Sequence, residues 1–148
     1  MKEEQLAKEL IQVWCRLMKK PVPQKTETTS RGEYGVLIYL TSVKDGATPG
    51  ELAAEFDVGS GRVADILKSL TRKRLIERRT DPQDRRRALV FLTAEGKRLA
   101  EEKQHFILAI HTELVQYLGQ SDTEELIRLM HRVAEFTDSL TDAANTIK

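Results

Sequence analysis

Arg85, Arg86 and Arg87 stand side by side, directly after Asp84 and the run Asp81-Pro82-Gln83. Three adjacent guanidinium groups are suited to holding phosphate, or to entering a nucleic-acid groove whose negative potential draws them in. The element that presents them reads LIERRTDPQDRRRALVFLT from Leu75 to Thr93. Leu75 and Ile76 begin one short strand, Ala88 to Leu92 form another, and Asp81-Pro82 supplies turn chemistry between them. The arginines therefore fall at or near the tip of a β-hairpin. A solvated face can carry the same charges, so the segment upstream decides between the two readings.

That segment, TPGELAAEFDVGSGRVADILKSLTRKR from Thr48 to Arg74, has helix-turn-helix spacing. Thr48 is placed to cap the first helix, Pro49 opens it, and Glu51 completes a capping box. Leu52, Ala53 and Phe56 give that helix its apolar side. Asp57-Val58-Gly59 makes the turn, with Gly59 free to take reversal angles and Ser60 placed to cap the second helix. Val63, Ile66, Leu67 and Leu70 recur at three- and four-residue spacing as one buried stripe.

The other side of the second helix carries Ser60, Gly61, Ala64, Asp65, Lys68 and Arg72, with Arg62 and Ser69 on its shoulder. Small residues allow a close approach, and an α-helix fits the B-DNA major groove, where Arg or Lys bonds guanine edges and Ser bonds several bases. Charge supports this side as a reading surface. From Arg62 to Arg87 ten basic residues face four acidic ones, a net of +6 in a chain of total +1, which leaves −5 elsewhere. A local positive patch is what phosphate binding requires.

Asp81 to Arg87, continued by Leu89-Val90-Phe91-Leu92-Thr93-Ala94-Glu95-Gly96, resembles the wing and following helix of the MarR family of bacterial transcription regulators, and Leu70 to Arg78 resembles the same family. The resemblance extends over nearly the whole chain. It implies a winged helix-turn-helix, mainly α with a small β-hairpin wing (α+β), flanked by N- and C-terminal dimerisation helices. It also implies that Asp84 orients Arg86 into the minor groove, with Arg85 and Arg87 beside it in the wing.

Two positions depart from the family pattern. Arg74 stands where glycine is usual after the reading helix, and a left-handed backbone there would cost about 1 kcal/mol, so the helix end is expected to differ in shape. Asp65 stands on the groove side, where it is expected to pair with Lys68 or Ser69 along the helix rather than with cytosine.

The ends of the chain suggest how two reading heads are held. Residues 3 to 19 form a helix with Leu6, Leu10, Val13, Trp14 and Leu17 on one face, stopped by Pro21 and Pro23. A further helix runs near Glu33 to Ser42, with Tyr34, Leu37 and Ile38 apolar. Residues 94 to 118 form a long helix striped by Leu99, Phe106, Ile107, Ile110, Leu114 and Leu118. Gly119 ends it, Ser121 with Glu124 makes a capping box, and a last helix carries Leu126, Ile127, Met130, Val133, Ala134 and Leu140. These stripes exceed what a small winged helix covers, and a two-fold homodimer would set two reading helices about one DNA turn apart. The expected division is 1–30, an N-terminal helix and linker for dimerisation; 31–93, the winged helix-turn-helix; and 94–148, the C-terminal dimerisation helices.

At 148 residues the chain can bury a real core. It has no apolar run near the roughly eighteen residues of a membrane span and no secretory apolar segment, so a soluble cytoplasmic protein is expected. Its single cysteine, Cys15, lies late in the first helix, with Arg16 adjacent in sequence but displaced by about 100° around it, and reads as an inert, partly buried thiol. His105, His111 and His131 lack metal-ligand spacing. No phosphate-cradling glycine loop or nucleophile elbow marks an enzyme, and no cofactor is expected. The reading is a sequence-specific DNA-binding regulator, a homodimeric repressor of a pseudo-palindromic operator. A small-molecule effector could release it by favouring a dimer with misplaced heads, and the resemblance puts Trp14, Tyr34 and Leu37 in the candidate pocket. The competing class is a winged helix turned protein-interaction module, without operator specificity.

Overall fold

The computed structural model describes residues 2–19 and 30–146. Helix α1 runs Lys2–Lys19, α2 Arg31–Ser42, α3 Pro49–Phe56 and α4 Ser60–Arg72; strands β1 Ile76–Thr80 and β2 Ala88–Leu92 follow, then α5 Ala94–Leu118 and α6 Gln120–Thr146. The protein is mainly helical with one antiparallel hairpin, in which Ile76 faces Leu92 and Thr80 faces Ala88. Pro21 and Pro23 lie outside the described residues.

Local chemistry sets most of these boundaries. The Thr48 hydroxyl accepts the Glu51 N–H at 3.1 Å while the Glu51 carboxylate accepts the Thr48 N–H at 2.9 Å, the capping box in full. Ser30 caps α2 by accepting the Glu33 N–H, so α2 begins two residues before the expected start. The turn before α4 differs from expectation. Asp57 takes the left-handed conformation (φ 49°, ψ 48°), whereas Gly59 is extended (φ −66°, ψ 153°) and is itself the cap residue of α4. Ser60 is the first residue inside α4. Asp can occupy the left-handed region at modest cost, so no glycine is needed at the reversal. The expected Ser121–Glu124 capping box also does not form, because α6 resumes at once at Gln120 and places Ser121 within the helix. Gly119 alone makes the break, at φ +80°.

The core lies where α2, α3, α4 and the hairpin meet. Leu37, Leu40, Leu52, Val63, Leu67, Leu70 and Val90 are fully buried there. The 42–48 connection adds an edge, with Gly46 N–H to Val90 O at 2.9 Å and Val90 N–H to Ala47 O at 2.8 Å. Helix α5 starts inside this unit. Gly96 and Ala100 are buried, and a Cβ on Gly96 would stand 1.9 Å from the Leu75 carbonyl oxygen.

Arg74 does take the left-handed backbone, at φ 58°. The expected change of shape at this helix end is therefore absent. Its neighbours over-determine the conformation: Leu75 N–H reaches Leu70 O at 3.0 Å, the Thr93 hydroxyl donates to Arg74 O at 2.8 Å, and Thr93 N–H donates to Leu75 O at 3.1 Å. Three hydrogen bonds, each contributing about 1 kcal/mol, outweigh a strain of about that size.

Helix α1 buries none of its residues, and its apolar face is open, with Leu10 at 65% and Trp14 at 53% exposure. The apolar stripe of α6 is open too, through Ile127, Met130, Val133, Phe136 and Leu140. No described helix is long and apolar enough to cross a membrane.

Candidate nucleic-acid interface

Burial divides α4 into two sides. Val63, Leu67 and Leu70 are buried and Ile66 packs beside them, while Ser60, Gly61, Arg62, Ala64, Asp65, Lys68 and Arg72 are exposed. Nothing lies within 4 Å of a Cβ built on Gly61, so the start of the helix is open to close approach. Arg62, Lys68 and Arg72 supply positive charge along an exposed face of the size a major groove accepts.

Ser69 faces the protein. It is half-buried, and its hydroxyl donates to Glu33 Oε1 at 3.0 Å. Asp65 has neither Ser69 nor Lys68 as a partner; it is exposed and makes no ion pair or hydrogen bond among the described residues. The expected intrahelical pair is thus not formed, since Ser69 is committed to a buried carboxylate that needs the donor more.

The wing is built by its acids. Asp81 Oδ1 accepts the Gln83 N–H at 2.9 Å, Asp84 Oδ1 accepts the Arg86 N–H at 3.0 Å, and Asp81 N–H closes the loop onto Arg87 O at 3.0 Å. Both side-chain contacts are Asx turns, in which a short carboxylate imitates a backbone carbonyl. Asp84 therefore meets the main chain of Arg86. Arg85, Arg86 and Arg87 are exposed beyond it. Further down the hairpin, the Arg79 guanidinium pairs with Glu77 and lies 4.5 Å over the Phe91 ring.

Glu33 is a site-adjacent residue that the sequence analysis did not single out. It is the buried charged residue of the core, 7% exposed, and its other carboxylate oxygen accepts Lys73 Nζ at 2.6 Å. Burial works to raise its carboxyl pKa, but hydrogen bonds from Lys73 and Ser69, the Lys73 charge and a backbone bond at Ser30 together hold it below the usual carboxylate value. One signal in the sequence marks it: Glu33 stands three residues after a capping serine, where a carboxylate is fixed near a helix start.

A cavity of about 660 Å³ opens between α2, the end of α3 and α5. Tyr34, Ile38, Phe56, Phe106 and Ile110 make much of its wall, and Arg31, Lys103 and His111 bring cationic or titratable nitrogen to it. Lys103 Nζ sits 4.7 Å over the Tyr34 ring. Of the three residues expected at a pocket, Tyr34 lines this cavity. Leu37 is fully buried in the core, and Trp14 lies on the exposed face of α1. Cys15 is exposed in the single chain, not partly buried, because no described element covers α1. The described residues contain no group of three or more His, Cys, Asp or Glu side chains placed to hold a metal ion.

The sequence profile of the MarR family matches residues 28–87, the segment that contains α2, the helix-turn-helix, and the first strand and arginine tip of the wing. A protein of Thauera aromatica named for transcriptional regulation of the hcr operon is 27% identical over 108 residues; the match spans 73% of this chain and 64% of that protein's length. The fold resembles FabT of Streptococcus pneumoniae, solved with DNA, at a TM-score of 0.77 and 20% identity over 93% of this chain and 99% of that one. It also resembles PcaV, a transcriptional regulator of Streptomyces coelicolor, with a TM-score of 0.67 and 26% identity over 93% and 98% of the two chains. MepR, which regulates a multidrug efflux pump in Staphylococcus aureus, gives 0.60 and 27% over 76% and 81%. Profile, winged architecture and the arginine-tipped hairpin agree: residues 28–87 match the MarR family, and the chain shares the winged fold of its transcription regulators.

Proposed function

We propose that this chain is a homodimeric, sequence-specific DNA-binding transcriptional regulator, acting in the cytoplasm as a repressor at a pseudo-palindromic operator. The observation that carries the proposal is the division of α4 and the wing: their apolar residues are spent on the core, while Arg62, Lys68, Arg72 and Arg85 to Arg87 are all left exposed. In this reading α4 contacts base edges in the major groove, the wing arginines enter the adjacent minor groove, and Ser60 and Gly61 let the helix start approach the backbone. The open apolar faces of α1 and α6 support a second copy as partner, because such faces on a soluble chain mark interaction sites. Two heads on one two-fold axis then read two half-sites.

The cavity beside α2 supports release by an effector. Its aromatic and aliphatic wall with Arg31 and Lys103 fits a small amphipathic or aromatic anion. Such a ligand weakens DNA binding only in so far as it binds better to a dimer whose heads are misplaced.

The test is binding of the purified chain to duplexes from its own promoter region, with competitor DNA, across a salt series. The expected outcome is a specific complex whose log K falls by about 0.9 per phosphate neutralised for each tenfold rise in salt. Arg86→Ala is expected to abolish it while leaving the dimer intact. Absence of a specific complex at every salt would overturn the regulator reading and favour a protein-interaction module.

A further inference from the structure

We infer that Glu33 is a positioning residue for DNA reading: its carboxylate bridges Ser69 and Lys73 and so fixes how the reading helix is seated on α2. The inference rests on the proposed DNA-binding role. Its geometry is specific. One oxygen takes the Ser69 hydroxyl at 3.0 Å and the other takes Lys73 Nζ at 2.6 Å, and these two donors lie one turn apart on the same side of α4 and its C-terminal cap. Two attachments at that spacing restrain both sliding and rotation of the helix, which one contact would not do.

The exposed cations are tied to the same attachments. Lys68 precedes Ser69 and Arg72 precedes Lys73, so each clamped residue is the direct neighbour of one that faces outward. With side chains included an α-helix is roughly 10–12 Å across, so a rotation of about 10° moves an outer group by about 1 Å. That is enough to spoil a bidentate contact with a base edge while leaving attraction to phosphate nearly unchanged. A buried ion pair adds little to stability compared with well-packed apolar residues, and its best-attested use is to fix one arrangement among several.

The test uses the full chain and a duplex selected by the wild-type protein from a random library. Affinity is measured for that duplex and for a scrambled one of equal length, with wild type, Glu33→Gln and the milder Ser69→Ala, each verified as folded by circular dichroism at the assay temperature. Hydrogen exchange of the α4 and α3 amides is followed in the DNA-free proteins. Glu33→Gln is expected to weaken the selected duplex about tenfold, as the loss of one good base contact does, with the scrambled duplex unchanged and exchange faster in α4 but not in α3. Ser69→Ala is expected to move both readouts the same way by less. Equal losses on both duplexes, or unchanged discrimination in folded Glu33→Gln protein, would overturn the inference. If the wild type selects no duplex, the DNA-binding reading itself fails and this inference falls with it; faster α4 exchange in Glu33→Gln would then still separate a real clamp from a failed function.

Discussion

The Asp84 carboxylate accepts the backbone N–H of Arg86 at 3.0 Å, so the acid aims the arginine through the main chain. This makes the comparison of Asp84→Asn with Asp84→Ala informative. Both remove the charge, but only Asn keeps an oxygen able to close the Asx turn. In an operator-binding titration, Asp84→Asn is expected to match or slightly exceed wild type. Asp84→Ala should be about fivefold weaker than Asp84→Asn, the worth of about one hydrogen bond. Equal weakening of both would mean that the negative charge itself, and not the turn, sets the wing.

Arg74 at φ 58° carries a strain that glycine would not. Arg74→Gly is expected to be more stable than Arg74→Ala by about 1 kcal/mol, read as a higher denaturation midpoint at unchanged slope. The alanine variant serves as the reference because both substitutions remove the same charge. A glycine variant no more stable than the alanine one would show that the three hydrogen bonds around residue 74 relax the strain rather than hold it.

Gly61 and Gly96 separate function from stability with one kind of substitution. A methyl group at Gly96 meets the Leu75 carbonyl at 1.9 Å, so Gly96→Ala must push α5 off the hairpin, at a cost of about 2–3 kcal/mol or more. At Gly61 the space is open, so Gly61→Ala is expected to leave thermal stability intact and to weaken operator binding by crowding the approach to DNA. The two measurements, unfolding and titration, should therefore respond in opposite patterns.

Much of this was legible in the residues. The Thr48–Glu51 box, the Val63–Leu70 stripe and the Arg85–Arg87 tip are local patterns with local causes, and each is found where periodicity and cap chemistry put it. What escaped was set by contacts distant in sequence. Ser69 reads as a groove residue by helical position alone; only the fold brings Glu33, 36 residues away, to take its hydroxyl. Arg74 reads as a poor left-handed residue until Thr93 arrives to bond its carbonyl. The cavity is likewise a product of packing, since it joins α2, α3 and α5, and sequence proximity to Tyr34 is no guide to whether Leu37 or Phe106 shares its wall.

Glu33 makes stability depend on acid. Burial raises its pKa, but the bonds from Lys73 and Ser69 outweigh that, so the folded value lies below the unfolded one. A depressed carboxylate contributes stability that is fully present above the unfolded value, about 4.3, and is lost as pH falls through the folded one. Unfolding titrations from pH 7 downward should show wild type losing stability below about pH 4.3, with Glu33→Gln losing less over the same range because its side chain does not titrate. An identical slope in the two proteins would assign the acid sensitivity to other carboxylates.

The open face of α6 yields the last prediction. Met130, at 62% exposure, sits between Ile127 and Val133, which are also exposed, on the open face of the helix. Placing a carboxylate there costs nothing in an isolated chain, but between two copies it would bury an unpaired charge, a loss of several kcal/mol for the pair. Met130→Glu is therefore expected to keep the circular dichroism of the folded chain while sedimentation shifts from dimer to monomer. Operator affinity should fall steeply with it, because each half-site is then bound alone, whereas weak binding to scrambled DNA should persist through the same exposed arginines. A Met130→Glu chain that still sediments as a dimer would place the partner surface on α1 and α5 instead.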